Sequence, residues 1–291
     1  MAAWAANFIV VKAANEQIPP VTFAFLRFGT AALTLLLALR WREGSFGWPG
    51  RDAWAIMGLG ALGFGVYQIM WSIALQEIPA GDSALLIAAT PVITALLAVV
   101  SGADILTRTK LLGSLVSFGG VAVIVASGPG LSVGKAIVGD ALTLGAAVCW
   151  SIYTAFGAPI LRRHSPLRTT AWAMVGGSLV LAIPAFIQSS GVNWQAVDAS
   201  AWAGLAFSAF VPAGLANVVV FSAIRLLGPT RVTAFQFLVP FIAVLLGAAF
   251  IEEPVRVGQL IGGAVIVLGV VVTRSDRLTA FGGWLRERTP G

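Results

Sequence analysis

The sequence predicts an all-α integral membrane protein with ten transmembrane helices, arranged as two inverted five-helix repeats. Three observations predict this fold class: the composition, ten apolar runs, and an internal repeat offset by about half the chain. Of the 291 residues, 58% are hydrophobic and only 10% are charged, and the mean hydropathy is +0.92. Because soluble domains carry about 25% charged residues, the composition argues against soluble, disordered, disulfide-scaffold and nucleic-acid-binding proteins.

Ten apolar runs have the length of membrane-spanning helices. A helix needs about 20 apolar residues to cross the hydrocarbon core of a bilayer, and Pro, Gly and charged residues separate runs of about that length. The predicted spans are 1–17, 21–40, 53–75, 80–101, 111–127, 136–158, 168–188, 201–223, 230–250 and 257–273. The first is short, and it has neither a basic start nor a cleavage site. We therefore expect a retained helix with a truncated N-terminus rather than a signal peptide.

The basic residues favour one orientation of these spans. If the N-terminus is cytoplasmic, 14 of the 18 Lys and Arg residues fall in the inner connections and 3 in the outer ones. Basic residues in short loops stay on the cytoplasmic side of the membrane. The sequence therefore predicts a multi-pass protein of a bacterial-type inner membrane with both termini in the cytoplasm.

The chain matches itself at an offset of 146 to 149 residues. The matched pairs include Trp4 with Trp150, Pro20 with Pro166, Trp54 with Trp202, Pro91 with Pro240, and Asp104 with Glu253. Each unit would span the membrane five times, so the second unit enters from the opposite side. We predict one five-helix unit at 1–130, an inverted unit at 131–275, and a basic cytoplasmic tail at 276–291. Inverted repeats of this kind are typical of secondary transporters.

Several short motifs resemble the EamA units of the drug/metabolite transporter superfamily. They are WAANF at 4–8, LRF at 26–28, CWSIY at 149–153, the mid-span Pro91 and Pro240, and Glu253 ahead of GQLIG at 258–262. The resemblance covers essentially the whole chain and is nearest to the YddG-type exporters of aromatic and other amino acids. It implies a central cavity surrounded by helices 1, 3, 4, 6, 8 and 9. The chain departs from the family pattern in its short first helix and at Asp104, where a Glu is usual.

Prolines interrupt the predicted helices at matching positions of the two halves. A proline leaves the carbonyl four residues earlier without its helical partner, which here frees Ile87 and Gln236 near the middle of the membrane. Paired breaks of this kind indicate a transport site. The residues predicted as helix breaks and hinges are Pro91, Pro240, Pro212, Gly63 and Gly65.

Polar and aromatic side chains recur at helical spacing within six of the spans. The predicted substrate-binding residues are Asn7, Tyr67, Trp71, Ser83, Thr90, Trp150, Tyr153, Asn217, Phe221 and Gln236. Their amides suit the amino and carboxylate groups of an amino acid, and their rings suit an apolar or aromatic side chain. Each aromatic residue taken singly also suits an interfacial belt.

Charged residues are almost absent from the middle of the spans. Only Arg27 lies deep, and we expect it to pair with Glu16 or to extend outward rather than to contact substrate. The absence of a mid-span carboxylate favours facilitated export, with ion coupling left open. GLGALG at 58–63 matches a dinucleotide motif, but it lies inside an apolar span, and His164 is the one histidine. We expect no cofactor, no metal site and no enzymatic activity.

Together, these patterns predict a secondary transporter that exports neutral amino acids, aromatic ones among them, by alternating access. We expect it to work as a monomer in the lipid bilayer, with an amino acid or related metabolite as its small-molecule substrate and without nucleic acid. One alternative is a multidrug or other small-metabolite exporter of the same superfamily. An alternative from another class is a membrane scaffold or receptor that transports nothing.

Overall fold

The computed structural model describes residues 1–78, 83, 86–127, 137–250 and 255–274, without the side chains of 8, 9, 12, 243, 247 and 250. The predicted tail at 276–291 and Glu253 lie outside these residues. We number the helices in chain order: α1 Ala2–Ala14, α2 Pro20–Glu43, α3 Gly50–Glu77, α4 Thr90–Val100, α5 Arg108–Ala126, α6 Ile137–Ile160, α7 Pro166–Ser189, α8 Ala199–Leu227, α9 229–250 and α10 Val257–Arg274.

Seven of these helices are long and apolar enough to cross a membrane. They are α2, α3, α5, α6, α7, α8 and α9, while α4 and α10 are shorter apolar helices. An all-helical membrane protein is therefore confirmed for the described part of the chain. The count of ten spans stays a prediction, because it also requires α1, α4 and α10 to cross the bilayer.

Local sequence signals explain where the helices begin and end. Pro20 and Pro166 occupy the first turns of α2 and α7, where the missing backbone N–H costs nothing. The Ser165 hydroxyl accepts a hydrogen bond of 3.1 Å from the backbone N–H of Arg168 and so caps α7. Helix α2 ends at Gly44, whose φ of 73° few other residues adopt.

Helices α3 and α8 each contain a π-helical segment. The segment in α3 is Ala61–Val66, which includes Gly63 and Gly65, and the one in α8 is Ala209–Leu215, which includes Pro212. Their first residues are 148 positions apart, which is the offset that aligns Trp54 with Trp202. Such segments widen a helix and leave backbone groups in need of other partners.

Helices α4 and α9 are interrupted next to their prolines. The helix of α4 begins at Thr90, so Pro91 lies in its first turn after a turn at 88–89. In α9, the short helix Pro229–Thr233 passes into a 3₁₀ turn at Ala234–Phe237 before Leu238–Phe250, which contains Pro240. Both prolines therefore lie close to a break in the helix, as their sequence positions suggest.

The helix contacts of the first five helices resemble those of the last five, when each helix is matched with the one five places later. Helix α2 packs on α7 and α5 on α10, whereas α1 contacts α8 and α9 in the way that α6 contacts α3 and α4. The largest apolar core lies between α2, α3, α6, α7 and α8. These contacts are compatible with the predicted repeat, which stays a prediction.

Small residues bring α5 and α10 into close contact. Gly113 lies against the backbone of Gly269, and Gly120 lies against the backbone of Gly262. Between them, the Ser117 hydroxyl donates to the Ile266 carbonyl at 3.2 Å. Ser117 and Ile266 differ by 149 residues, so this contact joins residues that the predicted repeat aligns.

Polar contacts join connections that are predicted to lie on the same side of the membrane. On the predicted inner side, Arg163 and His164 contact Asp52 at 3.0 and 2.8 Å, and Arg168 pairs with Glu43. On the predicted outer side, Gln17 donates to Asp198 at 3.0 Å. These contacts agree with the predicted alternation of the connections between the two sides of the membrane.

Candidate functional site

Seven aromatic side chains from α1, α3, α6 and α8 form what we call the aromatic cluster, and Phe28 of α2 packs on its edge, with its ring centroid 5.1 Å from that of Phe64. Its members are Trp4, Phe64, Tyr67, Trp71, Trp150, Tyr153 and Phe221. Trp150 lies at its centre, with ring centroids 5.4–6.1 Å from those of Trp4, Phe64, Tyr67 and Tyr153. These separations are typical of aromatic rings in direct contact.

The aromatic cluster has a buried side and a partly exposed side. Phe64 and Tyr153 are each 1% exposed, and Phe221 is fully buried. Trp4, Tyr67, Trp71 and Trp150 keep part of their surface exposed. The exposed rings offer a surface for an apolar side chain or, through their faces, for an ammonium group, while the buried rings support them from behind.

A glycine in the π segment of α3 allows the cluster to close around Tyr153. A Cβ atom at Gly63 would lie 2.6 Å from the Cβ of Tyr153, and one at Gly65 would lie 2.7 Å from the Cβ of Val180. Real Cβ atoms do not approach neighbours so closely. The structure thus shows the predicted hinge glycines at sites of close helix contact.

Asn217 binds the π segment of its own helix. Its side-chain amide donates to the carbonyls of Pro212 and Ala213 at 3.0 and 2.9 Å, and the residue is 3% exposed. Both carbonyls belong to the π segment, so the Asn217 side chain ties the end of this segment to the regular helix that follows it. The amide that we expected to contact substrate thus uses both donor hydrogens within the protein.

Helix α1 is also bound to the π segment of α8. The indole N–H of Trp4 donates to the Pro212 carbonyl at 3.0 Å. The Ser208 hydroxyl donates to the Asn7 carbonyl oxygen at 2.6 Å. The side chain of Asn7 therefore has a protein partner too, and α1 is held beside the aromatic cluster.

The remaining predicted residues lie on α4, α9 and the segment before α4. The indole N–H of Trp71 donates to the Ser83 hydroxyl at 3.1 Å, which joins two predicted site residues. The Thr90 carbonyl accepts a hydrogen bond of 3.1 Å from Ser151, which follows Trp150 on α6. Gln236 is half-buried in the 3₁₀ turn of α9.

Arg27 has neutral partners on α3. Its guanidinium donates to the side-chain oxygen of Gln68 at 3.2 Å, and its Cζ lies 4.3 Å from the ring centroid of Phe28. The Gln68 amide donates onward to Ser72. The expected pairing with Glu16 is wrong, since the ion pairs among the described residues do not include Arg27 and Glu16 is exposed. Nor does Arg27 extend into solvent, because only 8% of it is exposed.

Sequence reasoning brought together five of the seven rings and omitted two from the predicted site. Phe64 lies three residues before Tyr67 and seven before Trp71, a spacing that places all three on one helical face. The same periodicity that selected Tyr67 and Trp71 would have selected Phe64. Trp4 carries the indole that matches Trp150 in the repeat.

A shallow pocket lies away from the aromatic cluster, at the ends of α4, α6, α8 and α9 that are predicted to face inward. Its lining includes Ala103, Pro159, Arg162, Arg225 and Gly228. Close by, Lys110 and Asp104 form an ion pair at 2.6 Å. Among the described residues, no group of three His, Cys, Asp or Glu side chains has an arrangement that suits a metal ion.

Comparison with models of known protein families shows to which family this chain belongs. The model of the EamA-like transporter family matches residues 1–126 and again residues 137–275. This chain belongs to the EamA-like transporter family. The resemblance to EamA units is thereby confirmed, and the chain is a membrane transporter by family, although its nearest subtype stays a prediction.

Relatives within the EamA-like transporter family extend over almost the full length of the chain. An "Uncharacterized transporter YyaM" of Bacillus subtilis is 27% identical over 91% of this chain and 88% of its own. A "Probable terminal-alkyne amino-acid exporter" of Streptantibioticus cattleyicolor is 28% identical over 99% and 94%. A "Probable amino-acid metabolite efflux pump" of Salmonella typhimurium is 26% identical over 92% and 90%.

One solved crystal structure has the same fold as this EamA-like transporter. It superposes with a TM-score of 0.80, covers 95% of this chain and 97% of its own, and is 18% identical in sequence. At that identity the likeness concerns the fold alone.

Proposed function

We propose that this EamA-like transporter exports amino acids with aromatic or other neutral side chains across a bacterial-type inner membrane, by alternating access. The observation that carries the proposal is the aromatic cluster, in which partly exposed rings of α1, α3 and α6 surround Trp150. The rings bind the side chain of the substrate. Transport itself requires no bond to be made or broken, so the proposal includes no catalysis.

The paired features of the two halves support alternating access between two similar states. The π segments of α3 and α8 start 148 residues apart, and the α5–α10 contact joins Ser117 to its repeat mate Ile266. The same family model also matches the chain twice. In the proposed mechanism, two inverted five-helix units rock against each other around a central site, with Pro91, Pro212 and Pro240 at the flexible points.

The proposed orientation places both termini in the cytoplasm. It is supported by the excess of basic residues in the predicted inner connections. The contacts of Asp52 with Arg163 and of Gln17 with Asp198 each join connections assigned to one side, so they support the alternation of the connections, and the basic residues decide which side is the cytoplasm. With the N-terminus inside, ten spans return the chain to the cytoplasm.

The names of two relatives favour amino acids as the substrate class. Those relatives are named as an amino-acid exporter and an amino-acid metabolite efflux pump. The described side chains of the aromatic cluster and those bonded beside it, Ser83 and Asn217, supply rings, hydroxyls and an amide but no carboxylate. Such a surface suits a zwitterion with an apolar side chain better than it suits a cationic drug.

A flux panel in proteoliposomes tests the proposed substrate class. Purified protein is reconstituted, and the uptake of labelled phenylalanine, leucine, alanine and glutamate is measured with and without a proton gradient, with ethidium as the multidrug probe. We expect flux of phenylalanine and leucine above that of glutamate and ethidium. Flux of ethidium alone would favour a multidrug exporter. An absence of flux beside a competent control carrier would favour a scaffold or receptor and would refute the proposal.

A further inference from the structure

Arg27 is a buried cation whose described partners carry no negative charge. It is 8% exposed, its Nη2 donates to the Gln68 oxygen at 3.2 Å, and its Nε has no hydrogen-bond partner among the described residues. The ring of Phe28 lies on one side of the guanidinium, with its centroid 4.3 Å from Cζ. The side chain thus keeps its charge and has an unused donor at Nε.

An arrangement of this kind is costly unless a ligand completes it. A guanidinium has five N–H donors in one plane, and a buried charge without a counter-charge is strongly unfavourable. One neutral amide and one ring compensate only part of that cost. Charged residues kept inside a membrane protein generally belong to a substrate or ion pathway.

Arg27 lies beside the aromatic cluster. Its partner Gln68 follows Tyr67 in α3, and Gln68 in turn contacts Ser72, which follows Trp71. The Phe28 ring that lies against the Arg27 guanidinium also packs on Phe64 of the aromatic cluster, with ring centroids 5.1 Å apart. The unused Nε donor of Arg27 and the partly exposed rings of Tyr67 and Trp71 therefore belong to one part of the molecule.

The structure also shows that other predicted carboxylate ligands have protein partners. Asn217 donates both amide hydrogens to the π segment of α8, and the Asn7 oxygen accepts from Ser208. A carboxylate that approached Asn217 would have to displace both of its hydrogen bonds, and one that approached Asn7 would meet an amide already held by Ser208 through its oxygen. Arg27 is the better candidate, because its Nε donor is unused among the described residues.

We propose that Arg27 binds the carboxylate of the transported substrate, with the side chain of that substrate on the rings of Tyr67, Trp71 and Trp150. This inference rests on the proposed amino-acid transport and adds the group that recognises the carboxylate. The planar fork of a guanidinium fits the two oxygens of a carboxylate. Recognition of the carboxylate would also distinguish amino acids from apolar amines of the same shape.

The first test compares substrates that differ only at the carboxylate. Wild-type protein in proteoliposomes is given labelled phenylalanine, phenylalaninamide or phenethylamine. We expect phenylalanine to be transported roughly tenfold faster or more, because a buried charge pair is lost with the other two. Equal rates would overturn the inference and leave the proposed amino-acid transport standing. Absence of flux for every amino acid would overturn the proposed function itself.

The second test separates substrate binding from a purely structural contact with Gln68. Gln68→Glu replaces the side-chain amide that Arg27 contacts by a carboxylate of the protein itself. The inference predicts unchanged or higher thermal stability and a loss of phenylalanine flux of roughly tenfold or more, because the new carboxylate competes with that of the substrate. If Gln68→Glu keeps both its stability and its flux, the contact is structural and the inference is wrong.

Arg27→Gln provides the direct counterpart of that variant. We expect the preference for phenylalanine over phenylalaninamide to disappear. The flux of phenylalanine should fall, whereas the flux of phenylalaninamide should stay at its wild-type level. An equal loss for both substrates would indicate that Arg27 only supports the fold. If Arg27→Gln fails to fold, the wild-type comparison and Gln68→Glu still decide the question, because neither removes the guanidinium.

Discussion

At the scale of single residues, Trp150 organises the candidate site. Four rings surround it at centroid distances of 5.4–6.1 Å, and they come from α1, α3 and α6 itself. Helical spacing within one span predicted its neighbour Tyr153, but contacts with Trp4 and Tyr67 depend on how distant helices pack. The sequence could therefore suggest candidate rings without indicating which ring lies at the centre.

Gly63 and Gly58 allow a matched test of close packing in α3. A methyl group at Gly63 would lie 2.6 Å from the Cβ and Cγ of Tyr153, whereas one at Gly58 would meet nothing within 4 Å. We expect Gly63→Ala to lower the free energy of unfolding by about 1–3 kcal/mol, the usual cost of overpacking a core. Thermal unfolding in detergent measures the difference. Equal melting temperatures for the two variants would refute the packing role of Gly63.

At the scale of elements, the π segments of α3 and α8 are the features that sequence reasoning described least well. Pro212 predicted a disturbance of α8, and Gly63 and Gly65 marked the corresponding place in α3. The pattern did not show that both disturbances are π segments, because the type of turn depends on contacts with side chains and helices that are distant in the sequence. In α8 those contacts include the hydrogen bonds that Trp4 and Asn217 donate to the Pro212 carbonyl.

Asn217 should stabilise the π segment of α8. Asn217→Ala removes two hydrogen bonds to the carbonyls of Pro212 and Ala213. Because two buried hydrogen bonds are lost, we expect a loss of about 1–3 kcal/mol in the free energy of unfolding. Ser222→Ala is the control, since its hydroxyl makes a single bond to the Val218 carbonyl of the same helix. The idea fails if the two variants unfold at the same temperature.

The α5–α10 contact offers two adjacent glycines with different environments. A Cβ at Gly120 would lie 2.7 Å from the Gly262 carbonyl oxygen, whereas a Cβ at Gly119 would meet nothing within 4 Å. Gly120→Ala should therefore force α5 and α10 apart and lower the melting temperature in detergent, because rigid backbone cannot yield as a side chain does. Gly119→Ala should leave it almost unchanged. A larger effect at Gly119 would contradict the contact described here.

The candidate site was only partly predictable for a physical reason. Aromatic residues within the spans have few polar alternatives, so Tyr67, Trp71, Trp150, Tyr153 and Phe221 were found from spacing and do lie together. Amides can bind substrate, another side chain or the backbone, and sequence alone does not decide between them. The structure shows Asn217 on the backbone and Asn7 on Ser208.

At the scale of the whole molecule, the arrangement of helix contacts is nearly symmetric between the two halves. The overall class was predictable because a bilayer fixes the length of an apolar helix and because a repeat leaves matching residues at one offset. The pairing of α2 with α7 and of α5 with α10 was not, because apolar faces in a membrane carry little information about their neighbours.

The predicted topology can be measured with single cysteines. In a Cys149→Ser background, Ser45→Cys lies in a predicted inner connection and Ser190→Cys in a predicted outer one, and both positions are exposed. We expect a membrane-impermeant maleimide to label Ser190→Cys on intact cells and to label Ser45→Cys only after lysis. The reverse pattern would mean that the orientation is inverted, and labelling of both on intact cells would contradict the inner assignment of residue 45.

Counterflow tests the central claim most directly, because a carrier exchanges substrate through one site that is open to alternate sides. Proteoliposomes are loaded with unlabelled phenylalanine and placed in a trace of labelled phenylalanine. We predict transient accumulation of label with wild-type protein, and its loss in Trp150→Ala but not in Trp54→Ala, since Trp54 is 76% exposed and outside the aromatic cluster. Counterflow that Trp150→Ala leaves intact, or no counterflow by the wild-type protein, would contradict the account.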